Sequence, residues 1–381
     1  MTLNRLAFGL AAVLAALPVA AEYKAPIDIP YQQFRLDNGL TVIVHEDHKA
    51  PIVAVNLWYH VGSKNEQAGR TGFAHLFEHL MFQGSENYKD EFFKPFENVG
   101  ATDQNGTTDF DRTNYFQNVP TTALDTALWM ESDRMGHLLG AIDQKVLDEQ
   151  RGVVQNEKRQ GDNSPYGKTW YSLLEGVFPE GHPYRWETIG SMDDLNAASL
   201  DDVKNWFKTW YGPSNTVLVL AGDIDVETAR SKVETYFGDI PPGGPLTKRD
   251  VWAPKMTSPA RDEMQDRVAQ TRIIRAWMAP PATARSSDEL SLFARVLGQG
   301  KTSRLVQRLV LKDQLASSVA SFQYGLEIAG LFIVQADLKP GADVAQVESI
   351  IDEELAKLIA EGPTTAELKR ARVAIEAGVI R

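Results

Sequence analysis

Cysteine is absent from the 381 residues. Disulfides and thiolate metal ligands are therefore excluded, and any metal site must be built from His, Asp or Glu. A basic excess is missing too: 39 Lys and Arg stand against 51 Asp and Glu, a net charge of −12. With no surplus to neutralise a phosphate backbone, the composition argues against a nucleic-acid partner. The acidity makes a self-repelling, soluble surface and slightly favours basic substrates. Long apolar runs are scarce. Leu6 to Leu17 is the clearest, and it is too short to span a bilayer comfortably. Arg5 precedes it, and Pro18-Val19-Ala20-Ala21 follows with small residues. That is the pattern of a secretory signal cleaved after Ala21, with a retained anchor as the alternative. No stable membrane insertion is expected after cleavage. An exported chain without cysteine suits a bacterial periplasm.

What is present reads as an ordinary globular protein, 43% hydrophobic and 24% charged. Its length points to two domains. Phe34-Arg-Leu and Leu40 to Val44 flank Asp37-Asn38-Gly39, a hairpin signal, and Ile52 to Tyr59 follows as a third strand. A helix is expected from Thr71, as N-cap, to Phe82. Further expectations are a strand at 114–119 and helices at 121–138 and from Asp143 to about Arg159. A helix at 199–210, a strand at 216–220 and a helix at 226–237 come next. Pro241-Pro242-Gly243-Gly244-Pro245 reads as a linker. After it the pattern restarts: a strand at 271–278, helices at 288–297 and 303–311, a strand at 331–336, and helices at 344–360 and 364–377. The last helix would match the Asp143 helix of the first half. The expected division is a signal peptide at 1–21, a catalytic domain at 22–240, a linker at 241–258 and a homologous second domain at 259–381. The first half continues well past its Asp143 helix, so the second domain is expected to be incomplete.

The chemistry concentrates in His75-Leu76-Phe77-Glu78-His79. Residues four apart stack on one helix face, so His75 and His79 can present two imidazoles to one zinc ion. Glu78 can reach a water on that ion without ligating it, which suits a general base. Catalytic zinc usually takes three protein ligands, so one is missing. On the Asp143 helix, positions 146, 150, 153 and 157 share a stripe that is mainly apolar and ends in Glu157. A carboxylate there makes sense facing a cation; a helix-end glutamate in water is the alternative.

His75-Leu-Phe-Glu-His79, the following Leu-Met-Phe and Glu157 resemble the pitrilysin/insulinase family of zinc metallopeptidases, the inverzincins. The resemblance covers nearly all of residues 30–381. It takes in Asp37-Asn38-Gly39-Leu40, the Gly62-Ser63 and Glu66 segment, and Ala221-Gly222-Asp223. It implies an α+β fold of two homologous domains, each a mainly antiparallel sheet packed with helices. It further implies one Zn2+ held by His75, His79 and Glu157, with Glu78 as the base, and hydrolysis of peptide bonds in peptides or small unfolded proteins. Asn105-Gly106-Thr107-Thr108 resembles the family's substrate-binding edge-strand segment, where Asn105 and Gly106 would meet an extended peptide. A turn at Asp103–Gly106 competes with that reading. Phe82 either lines the pocket or fills core.

Two departures stand out. Where the family often has a supporting glutamate, seven residues before Glu157, this chain has Gln150, which can hydrogen-bond but adds no charge. Where self-sufficient members carry an Arg and a Tyr in the second domain, Lys312-Asp313-Gln314-Leu315 aligns Val310 and Ser317. A homologous partner subunit supplying that pair is the preferred explanation. A low-activity or non-catalytic subunit, or a zinc hydrolase of non-peptide amides, are the rivals. His45-Glu46-Asp47-His48 reads as a loop charge cluster, and His60, His137 and His182 as structural. Gly298-Gln-Gly-Lys-Thr-Ser303 reads as a turn before a helix, not a phosphate loop.

Overall fold

A computed structural model describes residues 28–246, 249–256 and 258–380. The expected signal sequence at 1–21 lies outside the described residues. The elements of the first half are β1 (Gln32–Arg35), β2 (Thr41–Glu46), β3 (Ile52–Tyr59), α1 (Phe73–Leu80), α2 (Lys94–Asn98), β4 (Thr102–Thr108), β5 (Thr113–Pro120), α3 (Leu124–Gly136), α4 (Gln144–Asn163), α5 (Thr169–Val177), α6 (Met192–Ala197), α7 (Leu200–Trp210), β6 (Thr216–Gly222) and α8 (Val226–Phe237). The second half has β7 (Arg272–Ala279), α9 (Arg285–Gly298), a wide-turned helix at Val306–Lys312, β8 (Ala316–Gly325), β9 (Gly330–Leu338), α10 (Val344–Glu361) and α11 (Thr365–Ile380).

The first sheet has the order β1-β2-β6-β3-β5-β4, with β2 and β6 parallel and the other pairs antiparallel. The Asp37-Asn38-Gly39 turn closes β1 on β2 as its chemistry requires. Gly39 sits at φ +93, and buried Asn38 donates to the Phe237 and Ile240 carbonyls at 2.7 and 3.0 Å. The turn thereby ties the hairpin to the end of α8. Along β3 burial alternates with the pleat. Val53, Val55, Leu57 and Tyr59 face the core with Leu76, Phe77 and Leu80 of α1 in the same cluster, while Ala54, Asn56 and Trp58 point to the other face.

The second sheet has the order β7-β9-β8, all antiparallel, over its own core with α9 and α10. Its plan repeats part of the first half. β3, α1, a short helix, the β4–β5 hairpin, α3 and α4 run in the same sequence as β7, α9, the wide helix, the β8–β9 hairpin, α10 and α11. The order β3-β5-β4 likewise repeats as β7-β9-β8. The last helix does take the place of the Asp143 helix. A third cluster joins the halves: Phe110, Leu174, Phe178 and Tyr184 pack with Leu326, Ile328, Leu331 and Ile333. Beside it, buried Lys64 pairs with Asp111 at 3.2 Å and with Glu327.

Several elements differ from expectation. Helix α1 starts at Phe73, not Thr71. Gly72 caps it at φ +85, while the Thr71 hydroxyl and N–H are drawn away to Asp194 at 2.6 and 2.9 Å. Asp143 does cap α4, accepting from Val146 N–H at 2.9 Å, but the helix runs on to Asn163. Residues 103–106 form no turn. They lie in strand β4, with an irregularity at Asp103, φ +52, absorbed before the pairing resumes at Asn105.

Candidate metal centre

Helix α1 delivers His75, Glu78 and His79, and α4, packed against it, delivers Glu157. The His75 and His79 Nε2 atoms lie 3.4 Å apart, and Glu157 Oε2 is 3.6 and 3.5 Å from them. Among the described residues this is the one group of three metal-ligating side chains whose donor atoms gather within 4.8 Å. The three separations are nearly equal. A tetrahedral zinc with bonds of about 2.0–2.2 Å would space its ligands about 3.3–3.6 Å apart, so the donor set fits that ion in number, type and spacing. Burial disfavours the charged form of both imidazoles, and a metal binds the neutral one. Burial first, and then neighbouring His79, push His75 down to about 4. Burial also lowers His79, against the opposing pull of the Glu157 carboxylate.

Why Glu157 faces α1, with its side chain still 43% exposed, follows from α4. Leu147 and Val154 are the buried residues of that helix, and Gln150 is half-buried between them. The expected apolar stripe is therefore displaced by one position: Val153 is exposed rather than inward-facing. Gln150 faces His79 and favours its charged form, so the glutamine remains a polar neighbour without charge.

Glu78 is buried beside this cluster, and burial, reinforced by the nearby Glu157 charge, pushes its carboxyl up to about 7. Its Oε2 accepts a hydrogen bond from the Thr108 hydroxyl at the end of β4. Arg112, in the turn that follows, donates to the Thr107 carbonyl at 2.9 Å, to the Thr107 hydroxyl and to Asn114 Oδ1 at 3.1 Å. It also lies 5.2 Å over the Trp58 ring. At the other end of α1, buried Glu66 accepts from Gly72 and Ala74 N–H at 3.1 and 2.8 Å and from Trp186 Nε1 at 2.9 Å. A carboxylate there suits the positive end of the helix. Thr108 and Glu66 fall within segments that carry the resemblance, but their contacts, like those of Arg112, are not legible in the sequence. Each acts through a partner distant in sequence or through a turn, and no periodic pattern marks it.

Strand β4 is an edge strand, with its outer side unpaired within the sheet. Asn105 is exposed on it, its Oδ1 accepting from Gly106 N–H at 2.9 Å. Gly106 is buried under aromatic rings: a Cβ there would stand 2.7 Å from Phe82 Cζ and 3.0 Å from Tyr115. Phe82 is partly buried, stacked on Phe93 with ring centres 4.7 Å apart. Four of the five remaining histidines are engaged elsewhere. His45 meets the Pro30 carbonyl, His48 Asp223, His60 Glu327 and His182 the Trp252 carbonyl. The Gly298–Ser303 segment is a turn, with Ser303 N–H bonding the Gly300 carbonyl.

Comparison with known proteins places this arrangement. Residues 41–170, which contain all the clustered side chains, match the family model "Insulinase (Peptidase family M16)". Residues 197–375 match "Peptidase M16 inactive domain". This agrees with α9, which takes the place of α1 in the second half and carries no histidine. The chain is 29% identical over 374 residues to the zinc protease PqqE of Helicobacter pylori, covering 96% of this chain and 83% of that protein. A crystal structure of a protease from Helicobacter pylori superposes with a TM-score of 0.81 at 29% identity, covering 92% of this chain and 85% of that one. The periplasmic protease PqqL of Escherichia coli shares the fold with a TM-score of 0.74 at 20% identity; the match covers 91% of this chain and 39% of that one. The matched models, the shared two-domain fold and the zinc proteases among its relatives together make this chain a member of the pitrilysin/insulinase family of peptidases, M16.

Proposed function

We propose that the protein is a zinc-dependent endopeptidase acting on peptides or small unfolded proteins. The observation that carries this reading is the near-equilateral set of His75, His79 and Glu157 donors with the Glu78 carboxyl beside it. These three side chains would hold one Zn2+, with Gln150 steadying His79. A bound zinc would polarise the scissile carbonyl and acidify a water molecule. Glu78 would be the group that accepts a proton from the attacking water and returns it to the leaving amine. An extended peptide would lie along the open side of β4, oriented by Asn105 and Gly106, with Phe82 bordering the pocket. Residues 22–240 would form the catalytic domain and 259–381 its homologue, joined by the 241–258 linker. The N-terminal signal reading and a periplasmic relative support export to a bacterial periplasm.

The test is hydrolysis of a quenched peptide library together with zinc stoichiometry. Glu78→Gln is expected to retain zinc and abolish turnover. Turnover that survives Glu78→Gln unchanged sinks the mechanism. A second reading has its own observation. Val310 packs against the second core, and the Ser317 hydroxyl bonds Gln270 and the Asp337 carbonyl, both at 3.1 Å, so neither position offers a charged or phenolic donor. A homologous subunit would then supply an Arg and Tyr to the shared site. Adding such a subunit to the library assay distinguishes the two: a large rise in rate supports the shared site, and full activity of the single chain removes the need for it.

A further inference from the structure

Glu78 needs a fixed orientation to act as a base, because a glutamate has three side-chain torsions and a buried carboxylate turned away from its water is inert. Its own helix supplies no such restraint. The one hydrogen bond the Glu78 carboxyl makes among the described residues comes from Thr108, across on β4, and it lands on Oε2. Oε1 remains free to receive a proton. A threonine hydroxyl at a strand end would ordinarily be a weak anchor. Here the strand end is itself held. Arg112 binds the Thr107 carbonyl and hydroxyl and Asn114, stacks over Trp58, and so fixes the last turn of the β4–β5 hairpin. Thr108 also pairs in register with Thr113, whose hydroxyl is tied to the Val61 carbonyl at 2.9 Å. The hydroxyl is thus mounted on a braced segment rather than a loose edge.

We propose that Thr108 is a positioning residue that fixes the Glu78 carboxyl, with Oε2 occupied by its hydroxyl and Oε1 left to take the proton, and that Arg112 holds Thr108 in place. The inference rests on the reading of Glu78 as the general base. It also gives β4 a second use. The strand proposed to carry the peptide on its open side would set the base with a hydroxyl at its end, so peptide docking and base orientation share one rigid element.

The experiment compares Thr108→Val, which keeps the shape and removes the donor, with Thr108→Ser, which keeps the donor. Zinc content, thermal melting, kcat and KM are measured for each, with Glu78→Gln as reference. Thr108→Val is expected to keep zinc and KM and to lose kcat by roughly 10–100-fold, the worth of one hydrogen bond to a charged group. Thr108→Ser is expected to recover most of that loss, which a purely structural role would not require. If valine disturbs the strand, Thr108→Ala repeats the comparison. A high-resolution structure of the Thr108→Val protein is expected to show Glu78 in more than one rotamer. Wild-type kcat in Thr108→Val with Glu78→Gln inactive, or an unmoved Glu78 in that structure, overturns the positioning role alone. Wild-type turnover that does not depend on Glu78 overturns the general-base reading and this inference with it.

Discussion

Arg134 offers a sharp test of how helix α1 is held. Its guanidinium is 1% exposed and pairs with Glu131, which is fully buried, through Nε and Nη2 at 2.8 and 2.7 Å. Gln117 donates to the same carboxylate at 3.0 Å. The guanidinium is also packed against the rings of Phe92 and Tyr115, 3.6 and 4.2 Å from their centres, and reaches the Met81 carbonyl at the end of α1 at 3.4 Å. A cation there complements the negative end of α1. Arg134→Met strands the buried Glu131 carboxyl, which burial already pushes up, with only the Gln117 amide for company, so it must either stay charged without its partner or take up a proton. Breaking a buried pair in this way costs about 3–5 kcal/mol. For a domain of this size each kcal/mol is worth about 2–4 °C, so melting of the first half should fall by roughly 6–20 °C. The double variant Glu131→Met/Arg134→Met removes both charges and should regain much of the loss, since apolar side chains can replace a buried pair at little cost. It should not regain all, because the ring contacts and the Met81 bond are gone. Calorimetry of the four proteins gives the cycle. A double variant as unstable as the sum of the two single ones would refute the argument, because no charge would then have been stranded.

Two further outcomes follow from the same geometry. Glu157→Gln keeps the shape and removes the one anionic donor of the cluster; zinc affinity, read by competition with a chelator, should fall by more than the roughly 10–100-fold typical of a merely supporting residue. Arg304 grips Glu367 at 2.9 Å between the wide-helix segment and α11, and this hydrogen bond, helped by Thr364, holds the Glu367 carboxyl down at about 2. A depressed carboxylate stabilises the fold fully above its unfolded value of 4.5, so second-half stability should drop as pH falls from there towards 2, and Arg304→Met should flatten that limb of a pH–melting curve.

The parts of the fold legible in the sequence are those written in local pattern. The Asp37-Asn38-Gly39 turn, the alternation in β3, the Asp143 cap and the His75–His79 spacing each report their own structure within a few residues. Strand β4 was obscured because Thr-Asp-Gln-Asn-Gly-Thr-Thr is turn chemistry throughout. It is a strand because β5, rich in Tyr115, Phe116 and Val119, offers it a template. Strand β8 was missed for a related reason: Ala316-Ser-Ser-Val-Ala-Ser is small and polar, and pairing with the apolar β9 makes it a strand. Thr71 looked like a cap because its competitor, Asp194, lies far along the chain. Non-local partners decide such cases, and a window of sequence cannot contain them.

The repeated plan clarifies what the clustered residues add to the scaffold. In both halves a strand, a helix, a hairpin and two helices fold in the same order, so the topology does not require the histidines. Helix α9 keeps the position of α1 and buries Ala294, Val296 and Leu297, while α1 spends His75 and His79 on the cluster. The helices α4 and α11 differ in the same sense. The plan of the fold therefore does not depend on the clustered side chains, and their surroundings are particular to the first half: Gln150 beside His79, Thr108 on Glu78 and the Arg134–Glu131 pair behind α1. Substituting His75, His79 or Glu157 should therefore leave folding largely intact and change metal binding, whereas breaking the Arg134–Glu131 pair should lower stability first.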